Sequence, residues 1–224
     1  MMKKAFSFVF ALAVLVSLVP VGQTGATGFD FSKHKVPVIA NRYRTISKSY
    51  VPKLVKVPGT HFLLEGDTLT ACELMLKDAR EEGHKKLRVQ SAYRSYETQR
   101  VLHNNKIEKY KPKYGNRAAE MAAMVVARPG QSEHQLGNTV DLTVNGSLSQ
   151  SFAKTSAGVW LAENAHRYGF ILRYPEGKTD ITGVIFEPWH FRYVGAEIAG
   201  YIYENGLTLE EYVETAMNFF MAAR

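Results

Sequence analysis

The sequence predicts an α+β fold, with a small antiparallel sheet flanked by helices. Three observations lead there. Residues 139–144 alternate apolar and polar side chains, with Val140, Leu142 and Val144 on one face and Thr139, Asp141 and Thr143 on the other. Short strand-like runs are interleaved with longer segments of helical period. No repeat, low-complexity tract or linker divides the chain, and the length remaining after the N-terminal segment suits one domain.

The elements follow in order. Residues 1–26 have the layout of a signal peptide. Lys3 and Lys4 precede an apolar run from Ala5 to Val21, then Pro20, Gly22 and Gly25 break it, and Thr24 and Ala26 suit the −3 and −1 positions of a cleavage site. An uncleaved N-terminal anchor is the competing expectation, although the run is slightly short for a span of about 20 residues. No cysteine follows it, which disfavours a lipoprotein anchor. Residues 27–60 form a basic, irregular arm, expected to pack across the domain that occupies 61–224.

Asp67 is placed to cap a helix that runs to Gly83, with Leu69, Cys72, Leu76 and Ala79 at helical spacing. Residues 86–91 read as a strand and about 95–110 as a helix. The alanine-rich 116–127 reads as a second strong helix, stopped by Arg128-Pro129-Gly130. After the 139–144 strand come a helix at 157–168, a strand around 170–174 and two further strand segments at 184–186 and 190–194. Two helices close the chain, the last opened by a capping box of Thr208 and Glu211.

Composition narrows the function. The formal net charge is +7, and the two lysines before residue 27 leave +5 on the remainder. That balance favours anionic surroundings. For an exported chain, anionic cell-wall polymers fit better than nucleic acid, for which the sequence offers no arginine-rich groove. A monomer is expected. Cys72 is the single cysteine, so an intramolecular disulfide and a cysteine metal cluster are both excluded.

Two polar fragments carry the chemistry. "SEHQLGNTVDL" at 132–142 holds His134 and Asp141, and "EPWHFRY" at 187–193 holds Glu187 and His190. Period-2 alternation puts Asp141 opposite its core-facing neighbours. It also separates Trp189, Phe191 and Tyr193 from His190 and Arg192. The turn at Gly137-Asn138 lets His134 meet Asp141. Two imidazoles and one carboxylate suit zinc, with a fourth position for water. Such a site keeps a net positive charge and acidifies bound water towards a pKa of about 7. Glu187, three residues before His190, is placed to take a proton from that water. Trp189 is placed to exclude solvent. The spacing alone also fits ordinary structural polar residues, and the zinc helix motif HExxH is absent.

Arg94 follows a strand, where a loop can turn its guanidinium into a cleft. There it would offer fixed charge and paired donors to an oxyanion or a carboxylate. Arg192, on the face of His190, is a rival carboxylate anchor. Tyr93 is compatible with the core, and His34, His61, His84, His103 and His166 lack a motif.

The two fragments resemble the S-x-H-x-x-G-x-x-x-D and E-x-W-H signatures of the zinc D-alanyl-D-alanine carboxypeptidases, a group that includes lysostaphin-type peptidases and the hedgehog domain. "SAYRSYETQ" at 91–99 and "RPGQSEHQ" at 128–135 are most similar to the VanY-like branch. The resemblance covers about residues 60–195. It implies zinc held by His134, Asp141 and His190, Glu187 as catalytic base, and Arg94 stabilising the anionic intermediate. It further implies that Ser132 and Gln99 line the substrate site. The expected activity is removal of the terminal D-Ala from peptidoglycan stem peptides by an exported enzyme. An L,D-carboxypeptidase or endopeptidase on the same stems, and a non-catalytic wall-binding protein, are the alternatives. Glu187 speaks against the last, since a non-catalytic zinc site needs no base there.

Overall fold

The computed structural model describes residues 29–223, so the expected signal peptide or anchor lies outside the described residues. A hairpin of β1 (Leu54–Lys56) and β2 (Leu63–Glu65) leads directly into α1 (Gly66–Glu81). Glu65 stands at the helix cap without a side-chain cap bond, and Asp67 lies inside the first turn, not at the cap. Its carboxylate meets the positive end of the helix dipole there. β3 (Arg88–Ser91) follows, then α2 (Tyr96–Tyr114), capped by Ser95, whose hydroxyl accepts from the Thr98 amide. α2 runs beyond the expected 110 and takes Pro112 into its last turn.

The expected helix at 116–127 is much shorter. A 3₁₀ turn at Gly115–Arg117 opens α3 (Ala118–Ala123), and the chain leaves the helix at Met124. Two β-branched valines followed closely by Pro129 disfavour continuation. β4 (Thr139–Thr143), α4 (Ser156–Asn164), β5 (Phe170–Leu172), the single turn α5 (Thr179–Thr182) and β6 (His190–Tyr193) complete the middle of the chain. Residues 184–186 are not a strand. Ile185 instead donates its amide to the Met124 carbonyl. α6 (Ala196–Glu204) and α7 (Leu209–Ala222) end it, and the Thr208/Glu211 capping box is formed.

The main sheet has the order β3-β4-β6-β5 and is antiparallel throughout. β4 is central, and all five of its residues are buried, Thr139, Asp141 and Thr143 included. Its alternation therefore separates an apolar core face from a polar interior, not core from solvent. One apolar core packs α1 and α4 on the sheet through Leu64, Met75, Leu76, Leu87, Leu142, Leu161 and Phe191. A second joins Phe31 and Ile39 of the N-terminal arm to Ile171, Ile198, Ile202, Tyr212 and Val213. The arm also reaches the loop before the site, where the Ile46 amide donates to the Gly130 carbonyl (2.7 Å).

Candidate metal centre

The register of the sheet sets Asp141 directly opposite His190, and Val140 opposite Phe191. His134 sits on a 3₁₀ turn, Glu133–Leu136, closed by Gly137 at φ 76°. That left-handed residue lets the chain reverse into β4 within a few residues. The Gly137 amide returns to the His134 carbonyl (3.2 Å), so the turn locks the imidazole beside the strand.

The three side chains meet. His134 Nε2 lies 3.3 Å from Asp141 Oδ2, and His190 Nδ1 lies 3.1 Å from Asp141 Oδ1. One ligand atom from each falls within 4.8 Å of the others, and all three residues are buried. His134 Nδ1 is 2.6 Å from the Ala92 carbonyl and must donate to it, which leaves Nε2 as a bare lone pair. His134 Nε2 and Asp141 Oδ1 have no hydrogen-bond partner despite these short approaches. Close contacts without hydrogen bonding are expected of ligands around a shared cation. Bonds of 2.0–2.1 Å to a tetrahedral zinc put its ligands about 3.3 Å apart. The donor set therefore fits zinc.

The electrostatics agree. Burial, reinforced by the neighbouring Arg94 charge, pushes the His134 pKa down to about 4, so the imidazole is neutral and available. Burial alone would raise the Asp141 carboxyl, but the two imidazoles beside it hold it well below the usual range. Glu187 goes the other way. Burial and then the Asp141 charge raise its carboxyl well above the ordinary carboxylate value. Its Oε2 is 3.5 Å from His190 Nδ1, at the edge of the ligand set. The turn that carries it is fixed by its amide donating to the Tyr174 carbonyl and its carbonyl accepting from the His190 amide.

Arg94 faces the same point. Its Nη2 is 3.6 Å from Asp141 Oδ2, and Nη1 donates to Gln99 Oε1 (2.9 Å). Nε is buried without a partner. Its amide donates to the His134 carbonyl, coupling the arginine loop to the metal loop. Arg94, Asp141, Glu187 and Trp189 line one cleft of about 520 Å³, closed on its far side by α2.

Three expectations change. Gln99 is buried, with its amide nitrogen donating to the Ala127 carbonyl and its oxygen holding Arg94, so it orients the arginine rather than lining the cleft. Ser132 is buried one residue before the 3₁₀ turn and is not among the cleft-lining residues. Arg192 is no carboxylate anchor. It is buried among protein groups, with Nη1 3.1 Å from Glu133 Oε1 and Nη2 donating to the Val38 carbonyl.

Two residues gained roles that the sequence did not signal. Tyr174 packs its buried ring 4.7 Å from the His190 ring. His103 is buried on α2, 2.7 Å from the Val126 carbonyl, and braces the cleft wall formed by Val125 and Val126. Their patterns, a tyrosine at a strand end and a histidine without a motif, carry no period that distinguishes them.

Residues 61–196 match the family model of the VanY D-alanyl-D-alanine carboxypeptidases. The chain belongs to this family. It is 37% identical over 188 residues to YodJ of Bacillus subtilis, covering 79% of this chain and 66% of that protein. It is 49% identical over 129 residues to a D-alanyl-D-alanine carboxypeptidase of Enterococcus faecalis, covering 57% and 47%. The chain thus spans less than two thirds of the length of these relatives. Among solved structures, VanY from the VanB-type resistance cassette in complex with Zn(II) superposes with a TM-score of 0.70 at 38% identity, covering 79% and 97%. VanYB in complex with D-alanine-D-alanine gives 0.71 at 39%, covering 80% and 97%. The LdcB LD-carboxypeptidase gives 0.69 at 36%, covering 79% and 84%.

Proposed function

We propose that this chain is a zinc-dependent D-alanyl-D-alanine carboxypeptidase that removes the terminal D-Ala from peptidoglycan stem peptides. One observation carries the reading: buried His134, Asp141 and His190 converge on one point, with the proton-avid Glu187 at its edge. Bound there, zinc would supply a Lewis acid and acidify water.

The side chains supply the rest. His134 presents Nε2 because Ala92 takes its other ring proton. Glu187, at the edge of the ligand set, accepts the proton of the attacking water and hands it to the departing amine of D-Ala. Arg94, oriented by Gln99, offers N–H groups to the oxyanion that forms at the scissile carbonyl. Trp189 and Leu148 narrow the cleft and keep bulk water from the reacting centre.

A second reading is supported by the LdcB superposition, which is nearly as good as that of VanY. It assigns cleavage of an L,D bond in tetrapeptide stems. Export, with the signal-like residues 1–26, fits a substrate in the wall.

The test is metal analysis with digestion of defined muropeptides. One zinc per chain and mass loss of one D-Ala from pentapeptide stems are expected, with both abolished in His190→Ala. Stoichiometric zinc in that variant would exclude the ligand set. Cleavage of tetrapeptide stems alone would select the L,D reading.

A further inference from the structure

The wall of the cleft opposite the metal residues is a single stripe of α2. Leu102, Asn105, Lys106 and Lys109 all line it, at the i, i+3, i+4 and i+7 spacing that puts side chains on one helix face. The stripe carries two ammonium groups and no acid. The acids of α2 are engaged elsewhere: Glu97 pairs with Lys48 (2.8 Å) and Arg100 (2.6 Å), and Glu108 with Lys111 (2.7 Å). Among the described residues neither Lys106 nor Lys109 pairs with a carboxylate. Lys106 is half-buried, its ammonium 5.4 Å from the Tyr110 ring centre, which steadies the stem beside the cleft.

The carboxylates that line the cleft are Asp141 and Glu187, and both are committed to the reacting centre. A peptide entering this cleft therefore meets, on the α2 side, two ammonium groups held in no close ion pair, with Lys106 acting on Glu187 only across the cleft. Low-dielectric walls from Leu102, Val125, Val126, Leu148 and Trp189 focus that charge into the cleft.

We propose that Lys106 and Lys109 form a specificity subsite for a second carboxylate on the substrate, one borne by a residue upstream of the scissile bond. The preferred substrate class is then an acidic peptide, and its amidated counterpart is disfavoured. This rests on the carboxypeptidase reading of the cleft. Arg94 is a separate matter, since it is turned to the reacting centre and held by Gln99.

The experiment compares two N-acetylated tripeptides ending in D-Ala-D-Ala whose first residue is glutamate or glutamine. They have nearly the same shape and differ by one charge. The zinc-loaded full chain is expected to favour the glutamate peptide in kcat/KM by about threefold to tenfold at low salt, as two partly exposed ion pairs give. The preference should shrink at about 0.5 M salt as the charges are screened. In a Lys106→Gln/Lys109→Gln double variant the ratio should fall to about one, and in Lys106→Glu/Lys109→Glu it should invert. Equal kcat/KM for both peptides in the wild type, or an unchanged ratio in the variants, would overturn the proposal. Titrating both peptides into the zinc-loaded Glu187→Gln chain by calorimetry reads the same preference without turnover. Absence of hydrolysis by the wild type then counts against the carboxypeptidase reading, and equal affinities count against the subsite.

Discussion

Glu187 is held in a surrounding that costs stability when its carboxyl is ionised. Its folded-state pKa is raised by burial and by Asp141, so the folded chain keeps a proton that the unfolded chain has already lost. The stability associated with that proton is present below about pH 4.5 and is lost as pH rises towards the folded value. His134 acts in the opposite sense. Its pKa is lowered to about 4, so its contribution is present above about pH 6.5 and lost as pH falls towards 4. Glu187→Gln removes only the first effect. The metal-free variant should be more stable than the metal-free wild type by about 1 kcal/mol near neutral pH. That gap should close as pH falls to about 4.5, as followed by thermal melting. The same substitution should keep the zinc and cost about 10²–10⁴ in kcat. A variant that is no more stable, yet inactive, would mean that Glu187 is already neutralised by a partner. Arg94→Lys keeps the charge but not the planar fork. Zinc content should stay unchanged while kcat falls about 10²-fold with little change in KM, the signature of a group used in the transition state. A rise in KM alone would make Arg94 a carboxylate anchor instead.

At the level of elements, the ligand set was legible because period-2 alternation is a strong rule. It put Asp141 and His190 on polar faces, and the register then sets them opposite each other. What alternation cannot convey is depth. β4 is central, so Thr139 and Thr143 are as buried as Val140, and the face of Arg192 turns out to be an interior one. Propensity overstated the helix at 116–127: past Ala123 the chain unwinds through a turn, with the Val125 and Val126 amides both bonded to the Ala122 carbonyl, and the two valines line the cleft. Gln99 was legible only as a position in a resemblance. Its job of holding Arg94 depends on α2 and the 91–95 loop meeting in space. Gly137 was visible as a turn residue, and the fold adds a second constraint. At φ 76° a Cβ there would also come 3.0 Å from both the Leu54 Cδ2 and the Pro52 Cγ. Gly137→Ala should therefore cost about 1–2 kcal/mol from the left-handed conformation alone. Because His134 and Asp141 flank this turn, zinc affinity should weaken in parallel. Melting with and without zinc would separate the two: a variant destabilised only when metal-free would show that the turn gives way before the ligands do.

Across the whole molecule, one buried ion cluster ties the parts together. Arg173, at the end of β5, donates Nε to Glu133 (2.9 Å) and both Nη groups to Glu210 on α7 (2.7 Å each). Glu133 also faces Arg192, which donates to Val38 of the N-terminal arm, and Asn41 of that arm donates to Glu210. Glu133 immediately precedes His134, and the Arg173 amide donates to the His190 carbonyl, so the cluster touches the carriers of both imidazoles. Burial alone would raise the Glu133 carboxyl, but the two guanidinium groups hold it below its ordinary range. Its stabilisation is present above about pH 4.5 and is lost in acid. Arg173→Gln leaves Glu210 without its cation and Glu133 with only one. Glu133→Gln leaves two buried guanidinium groups facing each other with no carboxylate between them. Each should cost about 3–5 kcal/mol in urea unfolding, because an uncompensated charge stays buried. Glu210 is 15% exposed, so Glu210→Gln should cost less. The Arg173→Gln/Glu133→Gln double variant removes both members of one pair. If the cluster acts as a unit, its loss should fall short of the sum of the singles by about 0.5–3 kcal/mol. Additive losses would mean that Arg173 and Glu133 stabilise their own surroundings independently and that α7 is not coupled to the metal loop through them.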